Sequence, residues 1–482
     1  MNRRMVFYTI GKLAQITSVL LLLPLLVSII YKEQNAVIAF LITAAVSLGL
    51  GFLATLLFKP SNSLIFAKEG FAIVALSWLY LSFIGSLPFL LSGEIKSVID
   101  AVFETISGFT TTGASIIPDV TAITSKGILF WRSFTHWIGG MGVLVFVIAI
   151  LPSVSDRSIH ILRAEVPGPV VGKLVPKITE TAKILYLIYI VLTTLEILLL
   201  SLGDMSLYES IVHSFGTAGT GGFGIKADSI ASYSAYSQWV ITAFMLIFSI
   251  NFNLFYLLLL RNFKQTLKSE ELWTLIGIVV VAFTLICINT FNGFANFEET
   301  ARNSAFTVAS IVSTTGYATT DFNLWPVFSK SIILCLMFIG GCAGSTAGGF
   351  KITRVMLIFK CLKREFKKLL HPRTVATVRF EKSPVEESVV QGTCVYLAVY
   401  IVCLFAIFLL ISFEPFGIET NFSAAVSCFN NVGPGLAEVG PAGSYAAYTG
   451  FSKIILSFAM LMGRLEIFPV LLFFSPSIWR KK

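Results

Sequence analysis

The sequence predicts an all-α integral membrane protein in which four copies of a helix, re-entrant loop, helix unit surround one axis, preceded by two further helices. Three observations predict this class. The 482 residues are 56% hydrophobic and only 13% charged, with a mean hydropathy of +0.84. Apolar stretches long enough to cross a bilayer, about 20 residues in a helix, recur along the whole chain. Between the later stretches lie four shorter apolar segments, and each of them ends in a glycine-containing loop.

Composition and charge exclude several classes of function. A chain this apolar has too few charged residues to cover itself in water, so lipid is expected to contact most of its surface. The net charge of +9 lies in short segments such as 360–368, which is the positive-inside pattern. No nucleic acid partner is therefore expected. The seven cysteines show no CxxC pair and no histidine at ligand spacing, so neither a disulfide framework nor a zinc site is predicted.

Ten apolar stretches define the order of the elements. They cover residues 10–30, 37–58, 70–92, 127–151, 182–202, 237–260, 272–290, 330–359, 391–412 and 449–474. Basic residues follow the second, fourth, sixth and eighth stretches, and both ends of the chain are basic, so both termini are expected in the cytoplasm. The loops on the other side of the membrane carry more acidic than basic residues. That bias either concentrates cations at the membrane surface or only reflects depletion of basic residues from translocated loops.

The four shorter segments are internal repeats of one pattern. They cover residues 100–115, 208–223, 300–317 and 421–435. Each begins with residues that can cap a helix, continues for about three turns and then breaks into a run of small residues. We therefore divide the chain into an accessory two-helix unit and four repeats, the third with a broken second helix. The boundaries are 1–69 for the accessory unit and 70–155, 156–265, 266–385 and 386–482 for the repeats.

The loop in each repeat carries a strip of residues suited to a cation. Extended backbone cannot face hydrocarbon, so the four loops are expected to line water. Each short helix would point the negative end of its dipole at the axis, and glycine would let each strip aim backbone carbonyls inward. The alternative is that the loops are structural re-entrant turns. The predicted strips are Thr111-Thr112-Gly113, Gly219-Thr220-Gly221, Thr314-Thr315-Gly316 and Asn431-Val432-Gly433.

The eighth apolar stretch is interrupted by a run of glycine and small polar residues. Such a run is expected to break the helix, and a break at membrane depth has to line a cavity. We predict a flexible intramembrane gating loop below the strips. The alternative is a small-residue packing face on an intact helix. A phosphate-binding loop is not supported, since no Gly-Lys-Ser/Thr ends the run. The run consists of Gly340, Gly341, Cys342, Ala343, Gly344, Ser345, Thr346, Ala347, Gly348 and Gly349.

An arginine lies deep in the last apolar stretch. Ionisable side chains at membrane depth are expensive, which makes Arg464 a functional candidate. We predict that its guanidinium projects into the cavity below the strips, obstructs a cation and pairs with carbonyls of residues 340–349 when the path is shut. The alternative is a buried pair with Glu466 or a polar packing contact. Four other polar residues are predicted to support the short helices rather than to carry protons: Arg132, His136, Glu196 and His213.

These motifs resemble the Trk/Ktr/HKT superfamily of potassium transporters. The resemblance covers nearly the whole chain and rests on the four strips, on Trp-Ile-Gly-Gly-Met-Gly at 137–142, on residues 340–351 and on Gly463-Arg464. The two accessory helices are similar to those of the bacterial Trk membrane subunit. The resemblance implies four M1-P-M2 (helix, pore-loop, helix) repeats around one pore, with K+ ions in a carbonyl selectivity filter and no organic cofactor. Glycine at all four positions equivalent to Gly113 implies a preference for potassium.

The resemblance also implies partners and a location. It implies a homodimer in the bacterial plasma (inner) membrane, resting on a cytosolic ring of nucleotide-binding regulatory subunits of the TrkA kind. The basic stretch from Lys351 to Arg379 is predicted either to dock that ring or to lie among anionic membrane lipid headgroups.

Two other functions compete with a gated pore. One is an ion-coupled secondary transporter with a substrate site at a midplane helix break, but two inverted halves are typical of that class, and this chain has four parallel repeats. The other is an intramembrane enzyme. It would need a nucleophile with its base, or a metal motif such as HExxH, and the four histidines have no such spacing.

Overall fold

A computed structural model describes residues 2–60, 67–142, 178–374 and 376–476 of the chain. The end of the predicted fourth stretch (143–151), the predicted boundary between the first two repeats and the basic C-terminal residues 480–482 lie outside the described residues.

The described chain is mostly helical, which confirms the predicted class at that level. The first helices are α1 (Arg3–Leu20), α2 (Leu22–Ile30), α3 (Gln34–Leu57), α4 (Ala67–Ser92), α5 (Val98–Phe109), α6 (Lys126–Gly140), α7 (Ile178–Ser201), α8 (Leu207–Ala218), α9 (Ala235–Phe248) and α10 (Phe252–Leu259). The others are α11 (Phe263–Thr266), α12 (Glu270–Thr290), α13 (Phe297–Val312), α14 (Val327–Ile339), α15 (Ile352–Leu370), α16 (Glu387–Ile411), α17 (Ile418–Asn430), α18 (Gly450–Arg464) and α19 (Ile467–Phe473). Within the described ranges the only sheet is an antiparallel pair of two-residue strands, β1 (Arg379–Phe380) and β2 (Ser383–Pro384).

Among the described residues, six helices, counting α1 with α2, are long and apolar enough to cross a membrane. They are Arg3–Ile30, Gln34–Leu57, Lys68–Ser92, Ala182–Ser201, Glu270–Gly293 and Glu387–Ile411. These correspond to the two accessory stretches and to the first stretch of each predicted repeat. Large apolar side chains on them face outward, for example Leu56 at 75% and Val402 at 68% exposure, as expected of a surface solvated by lipid.

The second long stretch is broken in the last three predicted repeats, whereas in the first its end lies outside the described residues. Helices α9 and α10 are bent by 92° at residues 249–251, and α14 and α15 are separated by residues 340–351. Helix α18 ends at Arg464. The candidate spans at 237–260 and 449–474 are therefore not continuous helices. Asn251 caps a new helix by accepting a hydrogen bond from the N–H of Asn253, and Glu466 adopts a left-handed φ of 60°, which a helix cannot continue through.

The core lies where the second helices of the repeats meet the four short helices that lead into the loops, which are α5, α8, α13 and α17. Trp131 of α6 is fully buried there, donates a hydrogen bond from Nε1 to the carbonyl of Gly85 at 3.0 Å and packs edge-on against Phe40 and Phe109. A buried indole of this size, with its polar atom satisfied, fixes α5 and α6 against α3 and α4. The packing holds the first re-entrant loop rigidly in place.

Candidate ion-binding ring and gate

Four short helices, α5, α8, α13 and α17, lead into the predicted strips. Three of them start at a side-chain cap: Ser97 accepts from the N–H of Asp100, Ser206 forms a capping box with Glu209, and Asn296 accepts from the N–H of Glu299. Such caps satisfy N–H groups that no helical partner reaches, and they define where each helix begins. Helix α17 starts after Gly417 without a side-chain cap.

Each short helix ends in the same backbone turn. The first residue of the turn has a left-handed φ of 54–58°, and the glycine two residues later has a φ of 77–100°. These pairs are Thr111 and Gly113, Thr220 and Gly222, Thr314 and Gly316, and Asn431 and Gly433. The N–H of the residue between them donates to the carbonyl five residues earlier at 2.8–3.0 Å in all four loops. The four loops are therefore structural copies of one turn.

The structure shifts the second strip by one residue. The sequence placed it at 219–221, whereas the backbone conformations place it at 220–222, with Gly222 equivalent to Gly113. Gly219 has a helical φ of −72° and caps α8. The error arose because two glycines follow Thr220, and sequence alone does not decide which of them adopts positive φ. With this correction the second strip begins with threonine, as the first and third do.

The four strips close into a ring. A Cβ atom added to the last glycine of each strip would come within 2.6 Å of the second carbonyl oxygen of the next strip. The distances are 2.0 Å from Gly113 to Gly221, 2.0 Å from Gly222 to Thr315, 2.3 Å from Gly316 to Val432 and 2.6 Å from Gly433 to Thr112. The contacts run in one cyclic order and return to the first strip. Because no real Cβ approaches an oxygen this closely, each position requires glycine.

A cavity lies against one face of the ring, and the last glycine of all four strips borders it. Within the ring, side chains brace the strips. Thr112 Oγ1 lies 2.8 Å from Thr110 Oγ1 and accepts from Asn431 Nδ2 at 2.9 Å. Among the described residues, Thr111 Oγ1 and Asn431 Oδ1 are buried and have no hydrogen-bond partner. Buried oxygens without a donor are sites where water or a cation can bind.

The loop at 340–351 lies directly beneath the third and fourth strips. The N–H of Gly348 donates to Thr314 Oγ1 at 2.6 Å, and the N–H of Gly349 donates to the carbonyl of Asn430 at 2.9 Å. Gly340 and Gly349 have φ of 71° and 79°. The predicted break in the helix is therefore present, and the alternative of a packing face on an intact helix is excluded.

The loop is also tied to the bend between α9 and α10. The N–H of Cys342 donates to the carbonyl of Ser249 at 3.0 Å, the N–H of Phe252 donates to the carbonyl of Gly344 at 3.0 Å, and Thr346 Oγ1 donates to the carbonyl of Phe248 at 3.1 Å. These bonds satisfy backbone groups that both breaks leave open. This bend was not predicted. Its signal in the sequence is a pair of asparagines, Asn251 and Asn253, inside an apolar stretch.

Arg464 is the last residue of α18 rather than a residue deep in a continuous helix. Its NH1 donates to the carbonyl of Thr346 at 2.8 Å, and its NH2 donates to the carbonyls of Gly139 and Gly140 at 2.5 Å each. The buried guanidinium thus joins the loop to the end of α6. The carboxylate of Glu466, the alternative partner, accepts from Arg354 at 2.6 Å.

Three further polar residues from the sequence prediction are buried in the structure. His136 Nδ1 lies 2.7 Å from the carbonyl of Gly108 on α5, and His213 on α8 lies within hydrogen-bond distance of the hydroxyls of two tyrosines. Glu196 is fully buried on α7. In the described ranges, no group of three or more His, Cys, Asp or Glu side chains could hold a metal ion. The backbone oxygens of the ring are the candidate ligands for an ion, since carbonyl oxygens can replace the hydration shell of a cation.

Comparison with known proteins places this site in a family. The model of the TrkH family, described as cation transport proteins, matches residues 32–481. The chain belongs to this family. It is 35% identical to the Trk system potassium uptake protein TrkH of Escherichia coli (strain K12) and 36% identical to TrkH of Vibrio parahaemolyticus, over 100% of both chains in each case. It is 31% identical to TrkG of E. coli (strain K12), over 99% of both chains.

A solved member of the TrkH family has the same fold. The crystal structure of the potassium transporter TrkH from V. parahaemolyticus matches with a TM-score of 0.90 at 33% identity, covering 100% of both chains. The resemblance drawn from the sequence motifs is thus confirmed at the level of the family. The relatives are potassium transport proteins, so the prediction that the chain is not an enzyme is confirmed too.

Proposed function

We propose that this chain is the membrane subunit of a Trk-type potassium uptake system and passes K+ and Rb+ through one pore lined by its four repeats. The observation that carries the proposal is the closed ring of four equivalent turns, in which each final glycine faces a carbonyl of the next strip. A ring of backbone carbonyls replaces the hydration shell of a cation. Four short helices that end at the ring add the negative ends of their dipoles.

The proposed filter consists of three residues from each strip. The backbone register supports 220–222 as the second strip, in place of 219–221. Glycine at the last position of all four strips places no side chain against the carbonyls of the next strip, so the ring can keep its spacing. This supports a preference for K+ over Na+. The relatives' names support K+ as the transported ion. No organic cofactor is part of the proposal.

The proposed gate consists of residues 340–349 and Arg464. A cation that leaves the ring on the loop side meets a buried guanidinium. At about 6 Å and an effective dielectric constant of about 20, two like charges repel by about 3 kcal/mol. The three carbonyls that accept from Arg464 hold it in place. Movement of the loop would withdraw the carbonyl of Thr346 and release the arginine, which opens the path.

The wider assembly follows from the family. We propose four repeats with the boundaries given above, a homodimer, and a cytosolic nucleotide-binding regulatory ring, in a bacterial inner membrane with both termini cytoplasmic. The Trk system named for the relatives supports a regulatory partner. Basic residues on α15 support its position on the cytoplasmic side.

A secondary transporter with a substrate site at the helix breaks is the second candidate, because α9–α10, α14–α15 and α18–α19 all break near the ring. Rubidium uptake into liposomes that contain the purified chain separates the two. A pore predicts Rb+ uptake that K+ competes for and Na+ does not. Uptake that requires an organic substrate, or that Na+ and K+ reduce equally, would overturn the proposal.

A further inference from the structure

Behind each strip, one side chain occupies an equivalent position on the short helix. It lies eight residues before the middle residue of the strip, since the four turns share one backbone register. The four side chains are Glu104, His213, Thr307 and Ala424. Glu104 is the only acid among them, so the first strip is supported differently from the others.

The carboxylate of Glu104 holds the end of the first strip. It accepts from Ser115 Oγ at 2.9 Å and from the N–H of Ile116 at 3.0 Å, two and three residues beyond Gly113. Its third partner is the Nε of Arg132 on α6, at 2.6 Å. Glu104 is only 1% exposed. A buried carboxylate with three donors is fixed in one orientation.

Arg132 connects Glu104, and with it the first strip, to the second strip. Its NH1 donates to the carbonyl of Gly224 at 3.0 Å, and its guanidinium carbon lies 3.5 Å from the ring centre of Phe223. Phe223 and Gly224 follow directly after Gly222. The guanidinium also borders the cavity that the four strip glycines line. The ion pair therefore joins the ends of two neighbouring strips at the mouth of the ring.

Braces at two of the other junctions are neutral. The hydroxyl of Tyr317 donates to the carbonyl of Phe223 at 3.2 Å, which links the third strip to the second. The hydroxyl of Tyr445 donates to the carbonyl of Gly433 at 2.9 Å, and its N–H donates to the carbonyl of Ser115 at 2.8 Å, which links the fourth strip to the first. The ionic brace differs from these, because the loss of one partner leaves a buried, unneutralised charge.

We propose that Glu104 and Arg132 form a positioning pair that sets the separation of the first two strips and thereby the ion preference of the pore. This deepens the proposed function and rests on it. The carboxylate also neutralises the arginine, which would otherwise repel cations entering from the cavity. Loss of the carboxylate should therefore alter selectivity as well as rate.

The test compares Glu104→Gln and Arg132→Lys with Asp100→Asn in liposomes. Glu104→Gln keeps the shape but removes the charge, whereas Arg132→Lys keeps the charge but removes the two-armed contact. Asp100 is a matched control, because it lies on the same helix and pairs with Lys453 at 2.7 Å. The K+/Na+ flux ratio should fall about tenfold in Glu104→Gln, equivalent to about 1.4 kcal/mol. We expect a smaller fall in Arg132→Lys and a ratio within about twofold of wild type in Asp100→Asn.

The K+/Na+ flux ratio distinguishes a positioning role of the pair from a role in stability alone. A protein that is only destabilised loses K+ flux and Na+ flux together, so its ratio does not change. If Glu104→Gln does not fold, Arg132→Lys decides, since it preserves the charge balance. If the K+/Na+ flux ratio is unchanged in both Glu104→Gln and Arg132→Lys, the inference is overturned. The proposed function still stands in that case, provided that the wild type passes K+ selectively. An equal fall in Asp100→Asn also overturns it. A wild type that passes no K+ defeats both.

Discussion

The first residue of three of the four strips is held in a conformation that its side chain disfavours. Thr111, Thr220 and Thr314 are β-branched, yet each adopts a left-handed φ near 55°. Such a residue costs about 1–3 kcal/mol unless its surroundings fix it. At Thr314 the fixing contact is visible, because its hydroxyl accepts from the N–H of Gly348 in the loop below. Strain at the strip is therefore linked to the position of the loop.

The revised register of the second strip makes a prediction at Gly222. In Gly222→Ala the new Cβ would lie 2.0 Å from the carbonyl oxygen of Thr315, so the ring must distort. We expect the Rb+/Na+ flux ratio to fall by about tenfold or more. Gly224→Ala is the control, because its nearest neighbour lies 3.6 Å away, an ordinary contact. Equal ratios in the two variants would mean that Gly222 does not line the filter.

Arg464 carries the second residue-scale prediction. Arg464→Ala removes the positive charge and the donors to Thr346, Gly139 and Gly140. We expect K+ flux to rise several-fold without a change in the K+/Na+ ratio, because the proposed gate and the proposed filter consist of different residues. Arg464→Lys should give an intermediate flux. Unchanged flux in well-folded Arg464→Ala protein would rule out its role as a gate.

Among the elements, the straight helices were predictable and the breaks only in part. The glycine-rich run at 340–349 predicted the break between α14 and α15, because glycine destabilises a helix. The bends at 249–251 and 465–466 were not predicted. There an asparagine caps the start of α10, and a left-handed glutamate separates α18 from α19, both within apolar sequence. Their cause lies in contacts with the loop and with Arg354, which sequence periodicity does not report.

The loop itself can be tested as an element. In Gly348→Ala the added Cβ would lie 2.6 Å from the carbonyl oxygen of Asn430 and 2.9 Å from the Cβ of Asn431. We expect the loop to move away from the strips and K+ flux to rise in the absence of any regulator. Gly277→Ala is the control, since nothing lies within 4 Å of that Cβ. A lower flux in Gly348→Ala, or the same rise in both variants, would contradict a gate at this loop.

For the whole molecule, the sequence predicted three of the four strips in their observed register and the position of the loop beneath them. The repeats predicted that the strips surround one axis, but not which residues meet at each junction, because these contacts join residues about 90 or more positions apart. Thr112 and Asn431, at the junction that closes the ring, are 319 positions apart. The order of the repeats around the axis likewise emerges only from packing.

The proposed regulatory ring leads to a prediction for the cytoplasmic side. Lys363 and Lys367 are exposed and one turn apart on α15. Reversal of both to glutamate should weaken binding of the regulatory subunits about tenfold in detergent, where no anionic lipid competes. Lys96→Glu, an exposed lysine on the opposite side in the proposed orientation, is the control. Unchanged binding would instead favour contact of α15 with lipid headgroups.

The K+/Na+ flux ratio of wild type against Gly113→Ser, measured in liposomes, tests the central claim most directly. Gly113 faces the carbonyl of Gly221 across the junction of the first two strips, and a serine there must displace that oxygen from the ring. The ring predicts strong K+ preference in the wild type and a loss of about tenfold or more in the variant. A wild type without K+ preference, or a variant that retains it in full, would contradict the claim that the four strips form the selectivity filter.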